Sequence, residues 1–358
     1  MKNLFVVNTP YHLLTSFILT HSIFQHDENY LVLMHSHGYE KWKDSKLMTY
    51  MSSIECGYRQ VFLLLQWLSS KNKSESYRKQ ARYVKDNIKP LNIDNVFIAV
   101  DISPVNQLLV EAVGKNCFYR YEDGVYSYFN DDRRRKKSHA IFHKLKTYLL
   151  KLSAGIKGDM FINTEAEGEN PAGLADYMYN PSLLQRYSPD KREITIKMID
   201  EAMQDLNNKH LLPEIFTTNS ILYLSQPMIE KGIFAIEEEA DCLQKLVDSV
   251  GDNAVLFYKP HPNDSAKKLI YYKKNFKRLK IYNGIEPAEL LFVNNQKLKA
   301  VISYQSSALM NIDKFSNGKI KAISLTDIFK APTFPLYKEM MKKAGVEFPK
   351  DIGDIVIK

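Results

Sequence analysis

The chain has 358 residues, of which 45% are hydrophobic, 25% charged and 12% aromatic. This composition is typical of folded globular proteins and argues against intrinsic disorder, collagen-like repeats and coiled coils. Because a domain contains about 150 residues, the length predicts about two domains. The net charge of +8 suits an acidic substrate, an anionic membrane surface or nucleic acid, and does not choose between them.

The cysteines and the apolar segments indicate the cellular compartment of the protein. The three cysteines lie far apart, with neither CxxC spacing nor a neighbouring His pair, so we predict no disulfide framework and no metal site. His35-Ser-His37 lacks further ligands at suitable spacing. The apolar start, Met1–Pro10, is too short for a signal peptide, and no apolar run approaches the roughly 20 residues of a membrane-spanning helix. We therefore expect a cytoplasmic protein whose membrane contact, if any, is peripheral.

In chain order, the first half alternates short β-rich apolar runs with helical patterns, which is typical of an α/β protein with parallel strands. Strands are predicted at Leu4–Val7, Tyr30–Leu33, Val96–Val100, Phe118–Tyr121 and Met160–Ile162. Helices are predicted at about His12–Phe24, Lys41–Ser53, Tyr77–Ile88, Val105–Val113 and His139–Leu152.

The second half repeats this alternation and predicts a second Rossmann-like unit. Its strands are predicted near Ile221–Leu224, Ala254–Tyr258, Leu279–Tyr282, Ala300–Ser303 and Ile320–Ser324. Polar residues and a proline interrupt both the strand and the helix periods of apolar residues at Asn207–Asn219. We therefore predict an N-terminal domain over 1–210 and a C-terminal domain over 211–358. The last helix of the second domain can pack back on the first. The predicted fold class is α/β with two Rossmann-like domains facing across a cleft, the architecture called GT-B.

Two adjacent carboxylates follow one of the predicted strands. Glu122 and Asp123 precede Gly124 at the carboxyl end of Phe118–Tyr121, where α/β enzymes place their catalytic groups. A carboxylate there can act as a general base, because a like-charged neighbour raises its pKa towards neutrality. The alternative interpretation is a turn, since Asp-Gly is a common turn dipeptide.

A second motif, Lys259-Pro-His261-Pro262, closes the predicted strand Ala254–Tyr258, and capping residues for a helix follow it. A cation, an imidazole and a helix start can together hold a phosphate, because free backbone N–H groups favour an anion and a protonated His261 neutralises leaving-group charge. A histidine that merely ends a strand is the alternative.

Further polar residues accompany predicted helix starts in the second half. Ser306 and Ser307 follow the predicted strand Ala300–Ser303, where they can bind the same phosphate or simply cap a helix. Glu289 lies in a predicted first turn after Pro287, where it either compensates the helix dipole or binds ribose hydroxyls or a base amine.

Together these motifs resemble those of the bacterial sialyltransferases, which have a D/E-D/E-G motif in the N-terminal domain, an HP motif in the C-terminal domain and a downstream serine pair. The chain looks most similar to glycosyltransferase family 52, the lipooligosaccharide sialyltransferases, and family 38, the capsule polysialyltransferases. The resemblance extends from about Asn3 to Ser324 and includes two further segments, Asn8-Thr9-Pro10-Tyr11-His12-Leu13-Leu14 and Leu222-Tyr-Leu-Ser-Gln226-Pro227.

The resemblance implies an inverting, metal-independent transfer of sialic acid from CMP-sialic acid to a glycan hydroxyl, with no cofactor. It assigns Glu122 as the general base, with Asp123 as the alternative, and it places His261 at the departing phosphate. The donor-binding residues that it implies are Thr9, Gln226, Lys259, Pro262, Glu289, Ser306 and Ser307.

A basic amphipathic segment covers residues 133–152. Five consecutive basic residues from Arg133 are followed by Lys144, Lys146 and Lys151, interleaved with apolar residues. Such a helix can lie on the anionic inner membrane, or it can be a solvated helix with an ordinary core-facing stripe. A lipid-linked glycan acceptor would favour the first interpretation.

Three alternatives stay open at this point. A GT-B transferase could use another nucleotide sugar, the basic charge could indicate a nucleic-acid-binding protein, and the fold could belong to an inactive partner protein. The aromatic residues form no recognisable RNA-binding motif, which speaks against nucleic acid. The sequence does not determine the acceptor glycan, the linkage, the oligomeric state, or whether transfer is single or polymerising. Some related sialyltransferases are dimeric, so a homodimer is compatible with the resemblance.

Overall fold

The computed structural model describes residues 1–34, 42–64, 73–129, 145, 148–156, 167–250, 254–329 and 335–355. The chain divides into two units, Met1–Asp205 and Leu206–Lys358, which we call the N-terminal and C-terminal domains. The division falls within the helix Ile196–Asn208, slightly before the boundary at residue 210 that the sequence pattern suggests.

In the described part of the N-terminal domain, a seven-stranded parallel sheet has the order β3-β2-β1-β4-β5-β6-β7. The order reverses between β1 and β4, and in α/β sheets such a reversal opens a crevice at the carboxyl ends of the strands. The strands are β1 (Lys2–Val7), β2 (Glu28–Met34), β3 (Tyr58–Leu64), β4 (Asn95–Ile98), β5 (Phe118–Tyr121), β6 (Gly173–Met178) and β7 (Lys191–Glu193).

Helices cover this sheet and enclose its core. The first helix begins after the N-cap Thr9 with a proline, and nearly all of its side chains are buried because its sequence is apolar on most sides. Val84 and Leu108, from two later helices, join side chains of β1, β2 and β4 in the core. The described α-helices of this domain are Pro10–Thr20, Lys46–Met51, Lys73–Asn87, Pro104–Val113 and Ile196–Asn208, and the 3₁₀ helices are Ile54–Cys56, Lys89–Leu91, Val125–Tyr128 and Pro181–Leu183.

Four buried charged side chains form an ionic cluster: Asp101, Arg120, Asp176 and Arg186. Arg120 on β5 donates from Nε to Asp176 on β6 at 2.5 Å and from Nη1 to Asp101 at 3.1 Å. Arg186 donates from Nη2 to Asp176 at 2.8 Å. Burial by itself would raise the pKa of Asp176, but the hydrogen bonds from the two guanidinium groups outweigh burial and lower it. The cluster thus ties β5 and β6 to the loop after β4.

The described part of the C-terminal domain contains a five-stranded parallel sheet with the order β10-β9-β8-β11-β12, which reverses between β8 and β11. The strands are β8 (Ser220–Leu224), β9 (Val255–Lys259), β10 (Leu279–Ile281), β11 (Leu298–Ser303) and β12 (Lys321–Ser324). The α-helices that lie wholly within this domain are Ile236–Val250, Ala266–Asn275, Ile312–Ser316, Thr326–Phe329 and Pro335–Lys343, and the 3₁₀ helices are Ala288–Leu291, Ser307–Asn311 and Ile352–Asp354. Ile352, near the end of the chain, joins the core of this domain. The two parallel sheets confirm the predicted α/β class.

Three strands of the N-terminal sheet are not predicted by the sequence pattern. Among the described strands, β3 and β7 lie at the edges of the sheet and have several exposed residues, so their apolar period is weak. β6 contains Gly173 and Asp176, residue types that are uncommon in strands, and Asp176 is buried in the ionic cluster. The predicted strand Met160–Ile162 lies outside the described residues.

The basic segment 133–152 also lies largely outside the described residues. Its exposed apolar side chains in the described part are Leu145, Tyr148, Leu149 and Leu152. Lys151 is buried and pairs with Glu111 at 2.6 Å, which corrects the expectation that this lysine belongs to the basic face. Contact of the segment with a membrane stays a prediction. Among the helices that are described, none is long and apolar enough to cross a membrane.

Asp176→Asn should strongly destabilise the N-terminal domain. The substitution deprives Arg186 of its buried carboxylate partner, and breaking a buried ion pair on one side costs about 3–5 kcal/mol. Chemical denaturation of the variant and the parent measures the loss in the free energy of unfolding.

Asp190→Asn is the matched control for this substitution. Asp190 pairs with Arg192 at 2.7 Å, but the two side chains are 50% and 44% exposed. Exposed pairs contribute about 1 kcal/mol or less, so the control should be nearly neutral. Equal losses in the two variants would contradict the importance of the ionic cluster.

Candidate functional site

In the N-terminal domain, the carboxyl ends of β1 and β5 lie near the reversal of strand order. The hydroxyl group of Tyr121, the last residue of β5, donates at 2.5 Å to the carbonyl oxygen of Val6 in β1. Parallel strands place their carboxyl ends at one edge of a sheet. This edge therefore brings together three of the predicted site residues, Thr9, Glu122 and Asp123.

Glu122, the first choice as general base, is fully buried. Its Oε1 accepts a hydrogen bond from the Tyr11 hydroxyl at 2.8 Å. Its Oε2 accepts from the Tyr128 hydroxyl and, at 3.0 Å, from the backbone N–H of Tyr179. The carboxylate thus anchors three chain segments inside the domain.

Asp123 has a more accessible position, because 29% of its side chain is exposed. Its Oδ1 is hydrogen-bonded to Nε2 of His12, which is only 1% exposed. The backbone N–H of Asn8 donates to Nδ1 of His12 at 3.3 Å, so the neutral ring carries its proton on Nε2 and donates it to Asp123. A buried histidine therefore orients a carboxylate that solvent can reach.

Two neighbouring residues, Thr9 and Gly124, define the backbone around the His12–Asp123 pair. Oγ1 of Thr9 accepts from the backbone N–H of His12 at 3.2 Å, as the N-cap of the first helix. Gly124 has a φ of 117°, which is in the region that favours glycine, and this turn redirects the chain immediately after Asp123. The contribution of Thr9 to donor binding stays a prediction.

Glu167 is a further carboxyl group at this site. The Ser127 hydroxyl accepts from the backbone N–H of Asp123 at 2.9 Å and donates to Oε1 of Glu167 at 3.1 Å. Burial, and then the negative charges of Asp123 and Asp101, raise the pKa of Glu167 to about 8. No motif in the sequence marks Glu167, because only the fold brings it to Asp123.

In the C-terminal domain, hydrogen bonds join the carboxyl ends of β8, β9 and β11. The backbone N–H of Ser225 donates to the carbonyl oxygen of Lys259 at 3.0 Å, and the Ser303 hydroxyl donates to the carbonyl oxygen of Leu224 at 2.8 Å. The predicted site residues on this edge are Gln226, Lys259, His261, Pro262, Glu289, Ser306 and Ser307.

His261 is half-buried, and its protonation geometry is defined by its neighbours. The backbone N–H of Asn263 donates to Nδ1 of His261 at 3.1 Å, so the proton of the neutral ring is on Nε2. Burial lowers the pKa of His261, Asp264 opposes this effect, and Lys231 and Lys268 add to it. Burial therefore favours the neutral imidazole in the free protein, with Nε2–H as its donor. The role of His261 at a departing phosphate stays a prediction.

A buried lysine holds the backbone at His261. Nζ of Lys268 pairs with Glu239 at 2.9 Å and with Asp264 at 3.2 Å. The Asp264 carboxylate accepts from the backbone N–H of His261 at 3.1 Å. The sequence pattern does not indicate this arrangement, because a lysine in a helical segment is usually exposed.

Lys259 and Glu289 belong to one buried cluster. Nζ of Lys259 donates to the carbonyl oxygen of Gly284 at 2.7 Å. Burial lowers the pKa of Lys259 to about 8, although the charges of Glu286 and Glu289 oppose this shift. The lysine is thus mainly cationic at pH 7.

The remaining residues of this edge have simpler surroundings. Oγ of Ser306 accepts from the backbone N–H of Ala308 at 3.3 Å, as the cap of a short 3₁₀ helix. Ser307 and Gln226 are half-buried and Pro262 is exposed. Their roles in donor binding stay predictions.

Within the described residues, no group of three or more His, Cys, Asp or Glu side chains is arranged to hold a metal ion. His35 and His37 lie outside those residues.

Comparison with known proteins gives one family. A family model described as Alpha-2,8-polysialyltransferase (POLYST) matches residues 3–326. No curated protein sequence gives a significant match.

Solved structures have a similar fold at low sequence identity. A co-structure of S. aureus MnaA with UDP has a TM-score of 0.55 and 13% identity, covering 97% of this chain and 83% of that one. The UDP-GlcNAc 2-epimerase of Neisseria meningitidis bound to UDP-GlcNAc has a TM-score of 0.54 and 11% identity, covering 99% and 97%. The glycosyltransferase VinC in complex with dTDP has a TM-score of 0.51 and 10% identity, covering 99% and 88%. This likeness confirms the predicted GT-B class of fold.

The ring protons of His261 are directly measurable. ¹⁵N NMR of the histidine rings should show protonated Nε2, unprotonated Nδ1 and a titration midpoint below 6.5, because burial disfavours the imidazolium. The signal is assigned by its loss in His261→Gln. A midpoint above 6.5, or a proton on Nδ1, would contradict the geometry at Asn263.

Proposed function

The chain belongs to the alpha-2,8-polysialyltransferase family and is a sialyltransferase-like glycosyltransferase, and on this premise we propose that it transfers sialic acid from CMP-sialic acid to a glycan hydroxyl with inversion at the anomeric carbon. The observation that carries the proposal is the Asp123 carboxylate, partly exposed and oriented by buried His12. Sialyl transfer requires a base at the acceptor hydroxyl and charge stabilisation at the leaving phosphate. The N-terminal domain offers the first and the C-terminal domain the second.

In the proposed reaction, the acceptor oxygen forms a bond to the anomeric carbon while the bond from that carbon to the CMP phosphate breaks. The hydroxyl proton passes to Asp123, and the electron pair of the broken bond stays on the phosphate. His12 keeps Asp123 oriented through its Nε2–H. Accessibility supports Asp123 over Glu122, because Glu122 is fully buried and its oxygens accept hydrogen bonds from three donors.

The C-terminal domain supplies the groups for the departing CMP. Nε2–H of neutral His261 donates to a phosphate oxygen, and the Lys259 cation attracts the developing charge. The hydroxyl groups of Ser306 and Ser307 bind the same phosphate, and Glu289 accepts from the ribose. Thr9, Gln226 and Pro262 complete the proposed donor site. Because side chains supply this charge stabilisation, we propose that the reaction needs neither a metal nor a cofactor.

The acceptor is proposed from the family alone. Its description favours a glycan that already ends in sialic acid, so that each transfer extends an α2,8-linked chain. Comparison of a sialoside with a galactoside acceptor distinguishes chain extension from single capping, because only the first should yield a ladder of products.

A second donor has a specific observation in its favour. Two of the similar solved structures contain UDP or UDP-GlcNAc, at 13% and 11% identity. A UDP-sugar donor would use the same phosphate-binding edge of the C-terminal domain. The two donors differ in their nucleobase, which is cytosine in CMP and uracil in UDP. Nucleotide binding therefore distinguishes them.

Asp123→Asn should lower kcat by about 100-fold or more, since it removes the proposed base and retains an oxygen for the His12 hydrogen bond. Initial rates with CMP-sialic acid and a sialoside acceptor measure the effect. Thermal unfolding with and without CMP verifies that the variant folds and binds nucleotide.

Glu122→Gln is the matched control. We expect it to reduce the free energy of unfolding, because a buried amide cannot accept all the hydrogen bonds that the carboxylate accepts. We also expect a smaller loss in kcat than for Asp123→Asn. The opposite ranking of kcat in folded variants would assign the base to Glu122.

CMP should raise the unfolding temperature more than UDP, GDP or ADP. A ligand that binds only the folded state, present at about 100 times its dissociation constant, stabilises by about 2.7 kcal/mol. A shift with UDP alone would reject the CMP donor and favour the second candidate.

Transfer rates should be unchanged by EDTA, and a large loss of rate would contradict metal independence.

A further inference from the structure

The Ser127 hydroxyl group links the side chain of Glu167 to the backbone of Asp123, the proposed base. Ser127 accepts from the backbone N–H of Asp123 at 2.9 Å, so the only proton of its hydroxyl is free to go to Oε1 of Glu167, at 3.1 Å. The Ser127 hydroxyl thus joins the carboxyl group of Glu167 to the main chain of Asp123. Neither the motifs nor the proposed transfer step uses Glu167.

The ionic cluster fixes the segment that carries Glu167. Asp101 accepts from the backbone N–H of Gly168 at 2.8 Å and from that of Asn170 at 3.2 Å. Arg186 donates to the carbonyl oxygens of Ser127 at 2.8 Å and Gly168 at 3.3 Å. Gly168 has a φ of 80°, and a Cβ there would collide with the Arg186 side chain. Glu167 is therefore held at Ser127 by backbone contacts on its C-terminal side.

The charges around Glu167 favour its neutral form. Among the described residues, the groups with the largest effect on it are Asp123, Asp101, Ser127 and Arg186. The positive charges of Arg186 and Arg120 are already balanced by the carboxylates of the ionic cluster, Asp101 and Asp176. Burial and the two aspartates raise the pKa of Glu167 to about 8, and the Ser127 hydrogen bond and Arg186 oppose this shift. The negative charge of Asp123 acts on Glu167, so ionising both carboxyl groups costs free energy through their mutual repulsion.

We propose that Asp123 and Glu167 form a coupled pair that holds one proton at neutral pH, in which Glu167 is a positioning residue that carries the proton and leaves Asp123 ionised. The catalytic meaning of the pair rests on the proposed function, in which Asp123 is the base. The sharing of the proton does not rest on it. When Asp123 takes the acceptor proton, its negative charge disappears, and Glu167 then releases its own proton more readily.

Carboxyl NMR tests the pair without any substrate. The full-length protein is labelled with ¹³C at the glutamate carboxyl, and the Glu167 signal is assigned by its loss in Glu167→Gln. We expect a titration midpoint near 8 in the parent protein. In Asp123→Asn the midpoint should fall by about one unit or more, because the neighbouring charge is gone. A parent midpoint near the ordinary glutamate value, or an unchanged midpoint in Asp123→Asn, would overturn the proposal.

A second variant tests the hydrogen bond that joins Ser127 to Glu167 and distinguishes the loss of one group from a general loosening of the site. Ser127→Ala removes a hydrogen bond that favours the ionised Glu167, so the midpoint should rise. A general loosening of the site would expose Glu167 to water and would lower the midpoint in both variants. The matched control is Glu169→Gln, which changes the same residue type two positions along and should leave the Glu167 midpoint unchanged.

The pH dependence of transfer gives the catalytic readout. The parent should show an inflection in kcat near pH 8, where Glu167 ionises, and Glu167→Gln should lack it. An inflection that persists in Glu167→Gln would overturn the catalytic part of the inference. Absence of transfer with every donor would instead contradict the proposed function, and the NMR titration would still decide whether the pair exists.

Discussion

A buried carboxylate between two guanidinium groups supports the N-terminal half of the proposed site. Asp176 pairs with Arg120 and Arg186, and a buried charge is tolerated only with partners of opposite sign. Arg186 also donates to the carbonyl oxygens of Ser127 and Gly168. These two residues adjoin the carboxyl groups that we propose to share a proton. The proposed chemistry of the solvent-accessible Asp123 carboxylate thus depends on an ionic cluster that is buried.

The C-terminal domain uses the same physical device at its own sheet edge. Lys268 is buried between Glu239 and Asp264, and Asp264 accepts from the backbone N–H of His261. Because the buried lysine needs both carboxylates, the loop after β9 is constrained where the imidazole projects. The backbone contact at Nδ1 then leaves Nε2–H as the donor. In each domain, a partly buried titratable group is positioned by a buried side chain: His12 orients Asp123, and Lys268 with Asp264 holds the backbone of His261.

Much of the fold was predictable from local pattern. Interior strands such as β2 and β8 are mainly apolar runs, because helices cover both faces of a parallel sheet. β5 is predicted with its observed bounds, Phe118–Tyr121, although it contains Arg120. The missed strands β3 and β7 are edge strands with weak apolar periods, and β6 includes Asp176. An acidic residue indicates a loop unless a distant guanidinium neutralises it, and local pattern does not contain that information.

For the site, the residue types and the strand ends at which they occur can be predicted from local sequence. The acidic pair, the HP motif and the serine pair each follow a strand, and parallel strands bring such residues to one edge of their sheet. Which of the two carboxylates is buried depends on the folded chain. Glu122 accepts hydrogen bonds from three segments, whereas Asp123 is partly exposed beside His12. Only the tertiary structure brought Glu167 to Ser127. Burial and charge proximity are properties of contacts between residues distant in the chain, and these contacts exist only after folding.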